Sequence, residues 1–259
     1  MNTNSSTAIQ LPLKLQWRLA GKRDVDRVHQ IHREALNGLP PGMVRPDQIF
    51  QFERHIGPDG LIVCCTANSE HMIAYGVLGI RSKTTTHLAD LLGLNHAERA
   101  RFAILDGVAA LTSWRGLSLH QESIVQRVNH ARAAQRTLIG ATVAPSNTIS
   151  MNSMLKAGFT IVDYGLIYDG LERLILKRDL TAAPAVWRPV TTIKAADALA
   201  HRRALAMGLQ GYSCSRTKQG EWQVQYGIAE SLTRSQSCAS FPMSAGARDL
   251  AVAAHQSSH

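Results

Sequence analysis

The spacing of apolar and polar positions changes period several times along the chain, and each change marks an element. Leu15, Trp17 and Leu19 alternate with polar neighbours, the period of a half-buried strand. Between Asp24 and Leu36 the apolar positions Val25, Val28, Ile31 and Ala35 recur at helical spacing, and the pattern stops at Asn37-Gly38 and Pro40-Pro41. A short helix is expected over residues 46–55, with Pro46 suited to its first turn. Residues 61–67 and 72–80 read as a hairpin. Residues 81–101 are a long connection with a short helix over 87–94, serving as a binding loop or as a decoration of the sheet edge.

Two strand–turn–helix units follow. Residues 102–111 are an apolar strand, WRGLSLH (114–120) is a turn, and helix runs to about residue 135. A strand over 137–143 then leads to Asn147, which opens a helix ending before Gly158-Phe159. Residues 160–168 and 171–180 form a hairpin about Asp169-Gly170. From 181 to 189 the composition shifts to Ala, Pro and Thr, as in a linker. Beyond it come a strand-like VTTI, a helix over 195–207 ended by Gly208, and two short strands flanking Thr217-Lys218-Gln219-Gly220. This segment carries Trp187, Tyr212, Trp222 and Tyr226 but is too short to bury them alone. It is therefore expected to pack on the main domain or on a second subunit, as in a homodimer. No internal repeat is evident. The organisation expected is a disordered tail (1–12), a main domain (13–180), a small appended helix and β-hairpin (181–230) and a second disordered tail (231–259).

Charge adds a partner class. The 259 residues carry a formal net charge of +9, which suits coenzyme phosphates, nucleic acid or an acidic acyl carrier protein. The basic residues form no run and have no interleaved aromatics, which argues against nucleic acid. No apolar run is long enough for a membrane span, and the first residues do not read as a secretory signal. Four cysteines without CxxC spacing make a cytoplasmic setting the expectation, with Cys64 and Cys65 buried on opposite faces of one strand. The eleven histidines show no metal spacing, and His29 and His32 lie on a helix that looks exposed, so no metal is expected.

The chemistry concentrates at two places. Arg115, Gly116 and Ser118 stand at the mouth of a helix, where unpaired N–H groups and the dipole favour an anion. Asp106 interrupts the apolar run FAILDGVAAL, and a buried carboxylate there needs a reason: a catalytic base, or a structural Asp at a bulge beside Gly107.

These residues resemble the acyl-CoA-binding core of the GNAT superfamily of N-acyltransferases, over about residues 14–180. The family pattern R-G-x-G-x-G/A lies on Arg115, Gly116, Leu117, Ser118, Leu119 and His120, with Ser118 and His120 where small residues are usual. The pattern Asn-x-x-Ala/Ser followed by Lys-x-Gly-Phe lies on Asn147, Ser150, Lys156, Gly158 and Phe159. The resemblance implies an α/β fold with a mixed, mostly antiparallel sheet flanked by helices. It also implies transfer of an acyl group, most simply acetyl, from acetyl-CoA or another acyl-CoA. The acceptor would be a small-molecule amine or amino-acid-like substrate, attacking directly. Arg115 and the backbone from about Leu117 to Gln121 would hold the pyrophosphate, Asn147 and Ser150 would face the pantetheine, and the N–H of Ala110 or of a neighbour on that strand would meet the oxyanion. Asp106 would be the base, with a nearby His or a water chain as the alternative. Where many members carry a tyrosine acid stands Met154, with Tyr164 and Tyr168 as substitutes; Met151 and Met154 would line an acyl passage or pack in the core. Donation from an acyl carrier protein is one alternative. A catalytically silent acyl-CoA-binding regulatory module, suggested by Ser118, His120 and Met154, is another.

Overall fold

The computed structural model describes residues 14–68, 71–168 and 170–230. The main run of elements is β1 (Leu15–Leu19), α1 (Val25–Leu36), α2 (Ile49–His55), β2 (Gly60–Ala67), β3 (His71–Gly79), α3 (Lys83–Leu91), α4 (His96–Ala100) and β4 (Phe102–Ala110). Then come α5 (Leu119–Ala133), β5 (Leu138–Val143), α6 (Thr148–Lys156), β6 (Thr160–Ile167) and β7 (Leu171–Asp179). The described residues finish with β8 (Val186–Lys194), α7 (Ala198–Ala206), β9 (Gln210–Arg216) and β10 (Trp222–Glu230). The ten strands of the described residues form one sheet in the order β1-β2-β3-β4-β5-β7-β6-β9-β10-β8, and among these pairings β4–β5 alone is parallel.

Side-chain alternation on these strands sorts the helices between two faces. Val25, Val28 and Ile31 of α1 and Phe52 of α2 cluster with Cys64, Tyr75 and Val77 on one face. Ile124, Val128 and Ala131 of α5 and Met151, Met154 and Leu155 of α6 cluster with Leu78, Ala103 and Leu105 on the other. Cys64 and Cys65 fall in different clusters, as their adjacency on a strand requires. Met151 and Met154 are buried core residues, and neither lines the two chambers at the opening between β4 and β5. The connection before β4 holds two short helices, α3 and α4, each with a capping side chain (Ser82, Asn95) that accepts from the third residue on.

The sheet opens at its centre. β4 and β5 pair from Phe102↔Leu138 to Leu105↔Ala141 and then part. The cause lies on the other side of β4. There Leu105 opposes Leu78 and Val108 opposes Gly76, so Asp106 and Gly107 together face the single residue Val77. This bulge bends β4 away from β5, leaving its last residues without a partner on that side.

The last strands show that the chain does contain an internal repeat. β8, α7, β9 and β10 reproduce β5, α6, β6 and β7 at a constant offset of 50 residues. In the first unit Val143, Thr142 and Ala141 oppose Leu174, Ile175 and Leu176; in the second Ile193, Thr192 and Thr191 oppose Val224, Gln225 and Tyr226. Both hairpins slip register at the same place, after Ile161 and after Gly211. Asn147 and Asp197 each cap their helix by accepting from the third residue on. Gly158 and Gly208 end those helices at φ 80° and 75°, and Gly170 and Gly220 sit in the hairpin turns at φ 95° and 86°. Only Thr142/Thr192, Leu155/Leu205, Gly158/Gly208 and Gly170/Gly220 are identical across positions 138–179 and 188–229, so inspection of the sequence misses the repeat.

The two units meet edge to edge, antiparallel, at Ile161↔Gly211, which are themselves 50 apart. A pseudo-two-fold axis therefore passes through this pair. Gly211 is needed there: a Cβ would lie 2.9 Å from Ile161 Cδ1 and 3.1 Å from the Tyr226 ring. α6 packs on β9 and α7 on β6, and Ile193, Ala204, Leu209, Val224 and Tyr226 join the cluster formed by α5 and α6. The linker is shorter than composition suggests, because β8 already begins at Val186. Pro189 is tolerated in β8 because this strand is the outer edge and is bulged opposite Gly227. The tails expected over 1–12 and 231–259 lie outside the described residues.

Candidate active site

Two adjoining chambers fill the opening between β4 and β5. The larger, about 300 Å³, is walled by Leu36, Leu39 and Met43 from the end of α1 and the loop after it, and by Ala74, Val108, Ala109 and Ala110 from the sheet. Arg115, His120, Asn147 and Ser150 stand at its polar end. The smaller, about 100 Å³, is lined by Arg45, Asp47, Asp106, Thr142, Tyr168 and Arg173. His32, Met43, Val108, Asn147 and Ser150 border both. The apolar and polar walls divide the site into two chemically different halves.

At the mouth of α5 the chain turns through Gly116 (φ 87°) and Ser118 (φ 57°), both left-handed. Ser118 makes no side-chain cap, and its conformation costs a residue with a Cβ about 1–2 kcal/mol. The turn leaves a run of unused donors. Arg115 N donates to Thr112 O and Glu122 N to Ser118 O, while the N–H groups of Gly116, Leu117, Ser118, Leu119, His120 and Gln121 have no acceptor among the described residues. Six consecutive donors without an acceptor at a helix N-terminus are the backbone an anion cradle needs. Leu119 is buried and anchors the turn against Cys65, Ile73 and Ala74. Arg115 Nη2 lies 3.4 Å from the Ala35 carbonyl at the end of α1. His120 is half-buried, and burial followed by the nearby Arg127 charge lowers its pKa to about 3. It is an uncharged imidazole beside the cradle and too weak a base to take a proton at neutral pH.

Asn147 has enough atoms for the two roles its position suggests. Its Oδ1 accepts from Ser150 N at 3.2 Å, capping α6, and its Nδ2 is left to donate. On β4, Leu111 N donates to Ile73 O, and strand N–H groups alternate in direction, so the Ala110 N–H points away from β3 into the opening.

Asp106 sits on the bulge with its side chain 12% exposed, 4.0 Å from Arg45 Nη2. Burial raises its pKa above the ordinary carboxylate value, and Arg45 opposes the rise. Arg45 is itself held by Asp47 at 2.6 Å. The loop bearing both is pinned by His32, which is 2% exposed and not the exposed helix residue that spacing suggests. The Asp47 N–H can only donate, so His32 Nε2 accepts it at 2.9 Å; Nδ1 then carries the proton and donates to Tyr75 Oη at 2.7 Å. Beneath the bulge, the buried Arg127 of α5 donates through Nη1 to the carbonyls of Val77 and Asp106. The helix bearing the anion cradle is thereby tied to the strand bearing Asp106.

Tyr168 lies within hydrogen-bond range of Thr142 Oγ1, at 3.2 Å, and burial pushes its pKa to about 12, so it stays protonated. Tyr164 instead lies beneath Arg202, outside both chambers. Thus Asp106, Ala110, Arg115, His120, Asn147 and Ser150 border the chambers, while Gly116, Leu117, Ser118 and Leu119 shape the turn beside them. Sequence reasoning missed His32, Arg45, Asp47 and Arg173. Only Arg173 left a signal, as an arginine between Leu171 and Ile175 at the inward positions of β7. Among the described residues no cluster of three or more His, Cys, Asp or Glu side chains could hold a metal, and no helix is long and apolar enough to cross a membrane.

No family model matches the sequence, and no curated protein matches it. Solved structures do match the fold. One is yncA of Salmonella typhimurium, named as an acetyltransferase and solved with its cofactor acetyl-CoA, at 14% identity and TM-score 0.50, over 67% of this chain and 98% of that one. NAA60 of Arabidopsis thaliana, in complex with acetyl-CoA, matches at 13% and 0.50, over 65% and 100%. A protein of Acinetobacter baylyi, also named as an acetyltransferase, matches at 12% and 0.50, over 65% and 93%. The class that follows is one of architecture: the chain carries the GNAT N-acetyltransferase fold.

Proposed function

We propose that this protein is an N-acyltransferase that moves an acyl group, most simply acetyl, from acyl-CoA to an amine by direct attack. The observation that carries the reading is the run of six unpartnered N–H groups at Gly116–Gln121, set at one end of an apolar chamber that opens onto Asp106. The cradle suits a pyrophosphate, with Arg115 adding charge, and the apolar chamber suits a pantetheine arm and a short acyl group. Acetyl-CoA bound to two neighbours of the same fold supports this choice of donor.

In this reading the acceptor amine enters the polar chamber, and its nitrogen lone pair forms a bond to the thioester carbonyl carbon. Asp106 takes the proton released from nitrogen; its raised pKa brings it closer to the range in which a carboxylate is an effective base. The oxygen of the tetrahedral intermediate gains the negative charge and is met by the Ala110 N–H. The C–S bond then breaks, the thiolate leaves with a proton from Tyr168, and the proton that Asp106 took returns to Tyr168 through water. The products are the acylated amine and free coenzyme thiol. Met154, buried in the core, has no part in proton transfer.

The test is acetyl-CoA-dependent thiol release by the full chain against a panel of primary amines. Asp106→Asn should lower turnover on the order of 100-fold or more and leave acetyl-CoA affinity unchanged. Failure to bind acetyl-CoA, or full turnover by the Asn variant, would overturn the assignment.

A further inference from the structure

The polar chamber holds a cation that no carboxylate among the described residues neutralises. Arg45 is engaged by Asp47 at 2.6 Å and by Asp106 at 4.0 Å. Arg173 is 4% exposed and has no carboxylate within 4.0 Å among the described residues. Its Nη1 donates to the carbonyls of Gly42 at 2.8 Å and Glu172 at 2.7 Å, which orients the guanidinium plane. Its Nε and Nη2 make no hydrogen bond among the described residues. The Tyr168 ring lies 5.9 Å from the Arg173 guanidinium and 4.5 Å from that of Arg45, so one aromatic ring stands by both cations. A guanidinium removed from water without a counter-charge is costly to keep, and planar carboxylates match its fork.

The internal repeat shows that the fold does not require this charge. Position 173 corresponds to Gln223 and position 168 to Lys218, in a hairpin of the same register. Arginine at 173 is therefore a property of the chamber and not of the hairpin.

We infer that the acceptor is a small amino acid, its carboxylate seated on Arg173 and its amine turned toward Asp106. The size of the chamber, about 100 Å³, suits a small acceptor with amine and carboxylate a few bonds apart. The charges agree with this orientation: the unpaired cation takes the carboxylate, and the carboxylate base takes the proton of the amine. The inference rests on the acyltransferase reading for its catalytic half and on Arg173 alone for its binding half.

The experiment uses the full chain with acetyl-CoA and matched pairs of small amino acids, such as glycine, alanine and serine, against their carboxamides. Thiol release should favour the amino acids on the order of 10- to 100-fold in kcat/KM. Arg173→Gln, the residue the second unit carries at this place, should fold and should collapse that preference mainly through KM. Calorimetric titration of the same pairs into the protein loaded with CoA reads the binding half without catalysis. Equal use of carboxamides by the wild type, or a preference that survives Arg173→Gln, overturns the carboxylate seat and leaves the acyltransferase reading standing. Binding that needs both the carboxylate and Arg173, with no thiol released, keeps the seat and overturns the reaction. No binding and no turnover with any pair overturns both.

Discussion

Residues 138–179 and 188–229 fold into the same strand, helix and hairpin, yet the two chambers border the first unit and not the second. What they share is what the fold needs: a capping side chain at 147 and 197, left-handed glycines at 158 and 208 and at 170 and 220, and buried positions such as Leu174 and Val224. What they do not share sorts differently. Ser150, Tyr168 and Arg173 become Ala200, Lys218 and Gln223, and Asn147 becomes an acid. The surroundings differ too. β5 has β4 beside it, splayed by the Asp106 bulge, whereas β8 is the last strand of the sheet among the described residues. A half-fold is thus not a site; the site needs the parted neighbour strand and the cradle at α5.

The sharpest way to break this pairing is at the position where the two cores diverge most. Met151 is fully buried, and its counterpart His201 is equally buried but polar. His201 accepts from Tyr226 Oη at 2.8 Å and donates to Ala195 O at 2.9 Å. His201→Met imports the first unit's residue and strands both partners, so unfolding free energy should fall by about 1–3 kcal/mol, read from denaturant midpoints. The same variant carries a pH signature. Burial holds the pKa of His201, like that of His32, below the ordinary 6.5, and that of His120 at about 3. Below about pH 6.5 the unfolded chain therefore binds protons that the native chain does not, and stability falls as pH drops. His201→Met should reduce that slope by one histidine's share; an unchanged slope between pH 7 and 5 contradicts a neutral buried His201.

A smaller effect tests the shared geometry. Gly158→Ala and Gly208→Ala each force a Cβ into a left-handed conformation and should cost about 1–2 kcal/mol apiece. The two should cost alike, since the Cβ at Gly158 would make only an ordinary 3.4 Å contact with Arg178 Nε and nothing lies within 4 Å at Gly208. Thermal unfolding of the two variants checks the match.

The smallest stability effect and the clearest functional contrast come from exchanging the caps. Asp and Asn cap helices equally well, so Asn147→Asp and Asp197→Asn should both leave stability within about 0.5 kcal/mol. Only Asn147→Asp sets a new negative charge at the polar end of the larger chamber and removes an amide donor. Its acetyl-CoA dissociation constant should rise on the order of 10-fold, and that of Asp197→Asn should not move.

Much of this molecule is legible from apolar spacing. The strands before and after α5 are near-continuous apolar runs, and Asn147 with Gly158 brackets α6 by cap chemistry alone. The Asp106 anomaly is legible as well, because a lone acid in FAILDGVAAL breaks its own pattern. The rest depends on contacts that no local pattern carries. Arg45 and Asp47 sit in irregular chain and acquire meaning only when His32 pins their loop beneath β4. His32 reads as exposed because its partner Tyr75 is 43 residues away. β8 hides behind Pro189, which is acceptable only at a sheet edge. The repeat hides because register and burial, not residue identity, are what the two units hold in common.

The central claim is that the donor binds at the first unit and the α5 cradle, never at the second unit's matching helix. Amide resonances of the full chain, followed during titration with acetyl-CoA, test it directly. The N–H groups of Gly116 to Gln121 and the Asn147–Ser150 turn should shift together and saturate at one dissociation constant, with Asp197 to Ala200 unmoved. Shifts centred on Asp197–Ala200, or a saturable titration that leaves Gly116–Gln121 in place, would contradict it.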